Sequence, residues 1–336
     1  MKYLPRVSCI LVLFAIICSP FFLKAASSRF DIHNSPTLST DVLWTSTKVE
    51  HVYGLPDIKH NKTGALTLTA DALSFTGNSG DASISRSSIT ALSAGNQRVE
   101  IGGFGMRLVR MAIPDGGGLA AAAVMHHRID VLTVNFRDIN GGRHAAVFFL
   151  PAAEADRALQ SFSSMPESPT KSVETVCQNS TIEPKSVLVV EPSWDKAQVP
   201  AAYRALVYEH LIDRLRRMKE ISHVYRDGES YAQGECPQYT VRLSNEAFRE
   251  GSSVERASLG PVGMFVGTTQ MKFNVTFSEA YAGLETKVPI TATLRGESES
   301  TDVADNVAKK ITKQLAKCLM STAKGSSAKA TVNPAS

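Results

Sequence analysis

Residues Ile129 to Phe162 read IDVLTVNFRDINGGRHAAVFFLPAAEADRALQSF. Leu132, Val134 and Phe136 alternate with Thr133, Asn135 and Arg137, the period of two that marks a strand with one wet face. Asn140-Gly141-Gly142 tolerates positive φ and lets the chain reverse. His144 to Leu150 is apolar at nearly every position, as in a strand covered on both faces. Pro151 suits a first helical turn, where a missing N–H costs nothing. Ala155, Ala158, Leu159 and Phe162 follow at helical spacing. The stretch therefore predicts a hairpin closed by a short helix folded over its sheet.

Upstream, the same strand grammar recurs at short intervals. LTLTADALSF (Leu66–Phe75) predicts a tight hairpin broken at Asp71, and Gly77-Asn78-Ser79-Gly80 makes the next turn. Ile84 lies in a strand, and Ile89 and Leu92 lie in a short segment after it. Val99 to Gly103 and Arg107 to Ile113 read as two more strands, bent by Gly102, Gly103 and Gly105. Ala120 to Met125 is open between helix and strand. Many short strands finished by one helix argue a small antiparallel barrel or sandwich.

Ser163 to Pro184 is polar, proline-containing and aperiodic: a linker. Beyond it, VLVVEP is a buried-strand run. Pro200 opens a helix with a stripe of Tyr203, Leu206, Val207, Leu211, Leu215 and Met218, and with Arg204, Glu209, Asp213 and Arg217 mostly off it. Tyr239–Leu243 alternates as a strand. Met271–Phe277 and Val288–Leu294 alternate as a hairpin. Thr301 or Asp302 caps a last helix with Val303, Val307, Ile311 and Leu315 inward, and its lysines suit the C-terminal end of a helix dipole. If the first strand of this half and the strand after its first helix run parallel, both begin at one edge. Cys177 and Cys236 precede those strands and are the predicted disulfide pair.

At 336 residues the chain exceeds what one core usually serves. The formal charge of +4 owes about three charges to Lys2, Arg6 and Lys24, so the remainder is nearly neutral, and no nucleic-acid partner is expected. Lys2 and Arg6 precede an apolar run from Val7 to Leu23, followed by Ala25-Ala26-Ser27-Ser28, in the order of an export signal. Cleavage after Ser27 and retention as a short membrane anchor both remain open. Cys18 raises lipidation, against which Ile17 is bulky. Export permits disulfides.

Reaction signatures are missing. Adjacent His126 and His127 face opposite ways on a strand, so with Asp130 and His144 they make a poor metal set. Gly116-Gly117-Gly118 lacks the lysine of a phosphate loop, and there is no G-x-S-x-G. No catalytic, cofactor-binding or metal residue is assigned, and no cofactor is expected.

Residues 49 to 162 resemble the pleckstrin-homology-like superfold, in particular its GRAM-type and bacterial members. The resemblance rests on GALTLTADALSF (Gly64–Phe75), on Ile84 and Ile89-x-x-Leu92, and on the closing DVLTVNFRD…AVFFLP with its helix. It implies a barrel with a C-terminal helix that binds lipid, peptide or protein; Asp71 and Ala72 stand where lipid-binding members carry cations, so a headgroup pocket is not implied. Residues 186 to 320 resemble an α+β domain of bacterial envelope proteins, remotely similar to the curli-secretion lipoprotein, through VLVVEP, LGPVGMFVG before KFNVTF, and ATLRGES.

The expected organisation is thus 1–27 signal peptide or anchor, 28–48 flexible lead-in, 49–163 pleckstrin-homology-like domain, 164–185 linker, 186–320 α+β sheet-and-helix domain and 321–336 disordered tail. The expected function is a non-enzymatic envelope or periplasmic module for protein binding or assembly, with an envelope protein as partner and membrane proximity through the N-terminal segment if that stays uncleaved. The alternatives are a hydrolase or other enzyme with a site at the domain junction, around Glu191 to Asp195 and the Gly260 to Gly267 loop, and a small-molecule carrier. Secretion is the alternative location.

Overall fold

The computed structural model describes residues 41–100, 126–162, 181–231, 235–251, 268–280, 283–294 and 300–329. All lie in one compact unit, Thr40–Ser336. The architecture is mainly β, two sheets with few helices. Sheet one holds β1 (Val42–Tyr53), β2 (Lys62–Thr69), β3 (Ala72–Gly77), β4 (Gly80–Ser85), β5 (Ile89–Glu100), β6 (His126–Arg137) and β7 (Arg143–Leu150), followed by α1 (Glu154–Phe162). Sheet two holds β8 (Thr181–Val189), β9 (His223–Arg226), β10 (Glu235–Arg249), β11 (Thr269–Glu279) and β12 (Leu284–Leu294), with α2 (Ala201–Arg216) after β8 and α3 (Ser300–Lys329) last.

Sheet one is ordered β4-β3-β2-β1-β7-β6-β5. Its chain makes two antiparallel meanders, joined where β1 pairs with β7 (His51 opposite Phe148). Among the described residues β4 and β5 are its edges, joined by the short turn Arg86–Ser88, and no pairing between them closes the sheet into the expected barrel. Sheet two is ordered β12-β11-β10-β8-β9, with β8 parallel to both β10 and β9 and the rest antiparallel.

The hairpin and helix of Ile129–Phe162 form as read, with two corrections. Pro151 does not open the helix: Ala153 takes a positive φ of 67° and α1 starts at Glu154. Strand β6 has no wet face, because Val131 and Thr133 are buried along with Leu132, Val134 and Phe136. The reason lies four elements further along the chain. Helix α2 covers the far side of sheet one, packing Leu206, Leu211 and their neighbours against Val52, Val131, Ala145 and Val147. Its opposite side meets Val187, Val241, Phe273 and α3's Val303, Val307, Ile311 and Leu315 in the same core. The second core lies on the other face of sheet one, where Ala155 and Ala158 of α1 join Leu66, Phe75, Leu132 and Phe148.

Other differences are of extent. Strand β1 begins at Val42, and buried Trp44 and Ser46 draw the stretch read as a lead-in into the sheet. Trp44 also donates from Nε1 to Glu154 on α1, at 3.1 Å. The segment after Ile84 is not short: Ile89 starts the 12-residue β5. Helix α3 continues to Lys329, through part of the stretch read as tail. The expected strand Arg107–Ile113, the linker core, Cys177 and the Gly260–Gly267 loop lie outside the described residues.

Candidate functional site

Strand β1 ends at Tyr53, opposite Val147, while β7 runs back to Arg143. That leaves the outward backbone groups of Arg143 and Ala145, on the side away from β6, without a neighbouring strand, and buried backbone groups must find partners. The second half of the chain supplies them. Arg143 N–H donates to Asp227 O at 3.0 Å. The Arg143 carbonyl accepts from Arg226 Nη1 at 2.9 Å. Ala145 N–H donates to Glu209 Oε1 at 2.9 Å. Glu209 on α2 and Arg226 on β9 are each 4% exposed and pair through Oε1–Nη1 at 2.9 Å and Oε2–Nη2 at 2.8 Å. This fork is planar and bidentate, the strongest form of such a pair.

Close approach of backbones sharpens the fit. Gly54 has φ 97°, and a Cβ there would lie 1.9 Å from the Ala145 carbonyl oxygen, so only glycine lets β1 leave the sheet at this point. The turn after β6 is built around Asp138, whose Oδ1 accepts from the N–H groups of Asn140 and Gly142 and whose Oδ2 contacts His144 Nε2 at 3.0 Å. Burial alone would raise the Asp138 carboxyl, but these hydrogen bonds outweigh it and hold the pKa below its usual value. The turn docks on the β9–β10 turn, where Ser230 N–H donates to Asn140 O at 2.9 Å.

A cavity of about 290 Å³ opens beside this junction, lined by the Gly54–His60 loop, His144, Glu209, Ile212, Asp213, Arg216 and Arg226. Most of its polar groups are already committed. His51 Nε2 accepts from Leu55 N–H at 3.1 Å and Nδ1 faces Lys59 O at 3.3 Å, which fixes a neutral ring whose pKa burial lowers. Tyr53 donates to Asp213, which Arg217 also holds. The Tyr53 phenol is thereby pushed above its ordinary range, by burial first and by Asp213 second. Tyr53 also stacks on His210 with ring centroids 4.1 Å apart. His210 Nδ1 lies 3.6 Å from Asp305 on α3, which Arg214 grips through two bonds of 2.8 and 2.7 Å. A knot of side chains thus ties β1, α2 and α3 together.

That knot makes stability depend on pH. Burial pushes His210 down to about 4 despite Asp305 and Asp213 nearby, while the unfolded ring titrates near about 6.5. Between those values the unfolded chain binds the proton and the folded one does not, so stability is full above about 6.5 and declines as pH falls toward about 4. Burial lowers His51 and His144 as well, in the same direction. Urea midpoints measured across this range are expected to fall with pH, and His210→Leu is expected to flatten the slope.

The residues singled out from sequence fall as follows. Glu191 pairs with Arg143 at 2.8 Å, and burial first, against the neighbouring arginines, raises its carboxyl pKa. It lines a cavity of only about 50 Å³ with Trp194 and Arg204. Asp195 accepts from Ser193 Oγ at 2.7 Å, closing a local turn after the strand. Glu191 thus reaches the first half of the chain through Arg143, whereas Asp195 is engaged only within its own turn. Cys236 is buried and disulfide-bonded, and Cys177 lies outside the described residues. Cys318 is half-buried on α3, where burial pushes its thiol up. No group of three His, Cys, Asp or Glu side chains that could hold a metal ion occurs among the described residues. No helix among them is long and apolar enough to cross a membrane.

Sequence reasoning missed Glu209 and Arg226 as a pair, and Tyr53 as the ring that bridges three elements. For Glu209 a signal was present. Ala202, Ala205, Tyr208 and Ile212 lie off the named stripe, so α2 is apolar nearly all round, and a helix of that kind is buried on every side together with any charge it carries.

No protein-family model matches the chain, and no curated protein matches it. Among solved structures, a point-variant PelC dodecamer from Paraburkholderia phytofirmans aligns over 39% of this chain and 87% of its own, at 13% identity and TM-score 0.24. A second PelC dodecamer from that organism aligns over the same shares at 13% identity and TM-score 0.25. An uncharacterised protein aligns over 42% of this chain and 99% of its own, at 8% identity and TM-score 0.26. Likeness of this degree leaves the function to be argued from the chain itself.

Proposed function

We propose that the chain is an exported, non-enzymatic envelope protein whose first half, a pleckstrin-homology-like domain, binds an extended segment of a protein partner. The second half, an α+β domain after the linker, braces it. Export is supported by the charged, apolar and small-residue order of the N-terminus. Binding is supported by one observation above others: β5 is a 12-residue edge strand with no neighbour on its outer side among the described residues. Half-buried Ile89, Leu92 and Ala94 on β5 adjoin half-buried Leu159 and Phe162 of α1, all packed on the same core. An edge bordered by apolar side chains takes an added strand through its backbone and reads alternate side chains in the groove. The polar groups around the 290 Å³ cavity favour a structural role over catalysis, since Glu209, Asp213, His51 and His144 are spent on neighbouring side chains and on the backbone.

A photo-crosslinking residue at Ala91, on the full chain in living cells, is expected to capture one envelope protein in stoichiometric yield. Ser93→Lys places on the strand the charge that natural edges use to refuse partners. It is expected to abolish the crosslink with the melting temperature unchanged. A crosslink only to this chain's own residues would overturn the reading.

We also propose Cys177 as the disulfide partner of Cys236. Strands β8 and β10 run parallel, with Cys236 opposite Ile182, five positions after Cys177. Cys177 thus precedes in sequence the end of β8 that lies beside Cys236, within a short span of chain.

A further inference from the structure

Helix α3 carries a row of exposed lysines. Lys309, Lys313 and Lys317 stand at four-residue spacing, Lys310 lies beside them, and Met320 extends the row by one turn. These positions share a face of the helix. Val303, Val307, Ile311 and Leu315 occupy the opposite face, buried against α2 and sheet two. Met320 is 60% exposed, among the most exposed large apolar side chains described.

The fold gives this row no reason to exist. Lys310 donates to Thr291 O at 2.7 Å. For Lys309, Lys313 and Lys317, no ion pair or hydrogen bond joins the side chain to another described residue. The acids of α3 are Asp302 and Asp305, both in its first two turns, and from Asn306 to Ser336 the sequence holds six lysines and no acid. Like charges four residues apart repel and weaken a helix. The helix dipole does not offset that repulsion, because its effect is confined to the last turn, and α3 runs on to Lys329, well past Lys317. In a chain otherwise close to neutral, single-sign charge without interspersed acids differs from an ordinary solvated face, which mixes both signs.

We propose that this face of α3 docks on an anionic lipid surface. A straight row of ammonium groups ending in an exposed thioether matches the headgroup boundary of a bilayer, where lysines meet phosphates and an apolar side chain enters the edge of the acyl region. The N-terminal run Val7–Leu23 independently places the chain at a membrane, whether it passes through or stays. Electrostatic docking by α3 then sets the orientation of the folded unit on that surface.

The test is vesicle co-sedimentation of the full chain with phosphatidylcholine alone and with phosphatidylcholine mixed with phosphatidylglycerol. The N-terminal run and its flanking Lys2, Arg6 and Lys24 are the same in every variant, so the difference between parent and variant isolates the lysine row. The expected result is stronger partition onto the anionic vesicles that weakens as salt is raised. The triple change Lys309→Gln, Lys313→Gln, Lys317→Gln is expected to reduce that partition roughly a hundredfold and leave partition onto phosphatidylcholine unchanged. The corresponding triple change to arginine keeps the charge and is expected to keep the binding. Both variants alter exposed positions, and an unchanged melting temperature confirms folding. Equal partition onto both compositions, or a glutamine variant that binds like the parent, would overturn the proposal. Tight retention on a soluble polyanion such as heparin without vesicle binding would overturn it too, and would assign the row to a polymer instead.

Discussion

Glu209→Ala is expected to cost about 3–5 kcal/mol of unfolding free energy, read as a lower urea midpoint at an unchanged slope. The magnitude follows from what the side chain holds. Its two oxygens take both terminal nitrogens of Arg226 and the N–H of Ala145. Removing it leaves a guanidinium 4% exposed with no countercharge and a buried backbone donor with no acceptor. Arg226 Nε already lacks a partner among the described residues, so no spare acceptor stands by. Charge alone does not explain why the pair is present. The double change Glu209→Leu, Arg226→Met is expected to regain most of the loss, as apolar replacement of buried ion pairs does elsewhere. It will not regain all of it, because Arg143 O and Ala145 N–H stay orphaned. If Glu209→Ala unfolds at the parent's midpoint, the junction between the two sheets is not held by this pair.

The second large effect concerns the disulfide. Breaking a link between Cys177 and Cys236 frees a loop of about 60 residues, which the chain-entropy account values at about 4 kcal/mol. Cys177→Ser and Cys236→Ser should therefore lower the midpoint equally, and the double variant should add nothing further. A reductant should destabilise the parent by the same amount and leave either variant unmoved. Cys318→Ser should respond to reductant as the parent does. Destabilisation by Cys236→Ser but not by Cys177→Ser would place the partner of Cys236 elsewhere.

Local pattern carried the reading of the fold a long way. Alternation located β2, β3, β6, β11 and β12, and Asp71 and the glycine-containing turns located the reversals beside them, because pleat and turn chemistry act within a few residues. Helical spacing found α1, α2 and α3. Boundaries failed where a distant element intervened. Trp44 pulls Val42–Lys48 into β1 by reaching Glu154, which lies 110 residues on. The wet face expected of β6 is dry because α2 covers it, and nothing within β6 announces that helix. The junction was harder still. Gly54, Asp138, Glu209 and Arg226 are each ordinary in their own neighbourhoods, and only the early end of β1 gives them a shared purpose.

The burial of α2 on both sides also bears on the order in which the protein can mature. A chain that crosses a membrane amino end first delivers all of sheet one before any of α2. Until Leu215 has emerged, Val52, Val131, Ala145 and Val147 face water with nothing to cover them. On the proposed export route, holding chaperones outside the cytosol would find their target in that interval, on a half-made product rather than on the finished one.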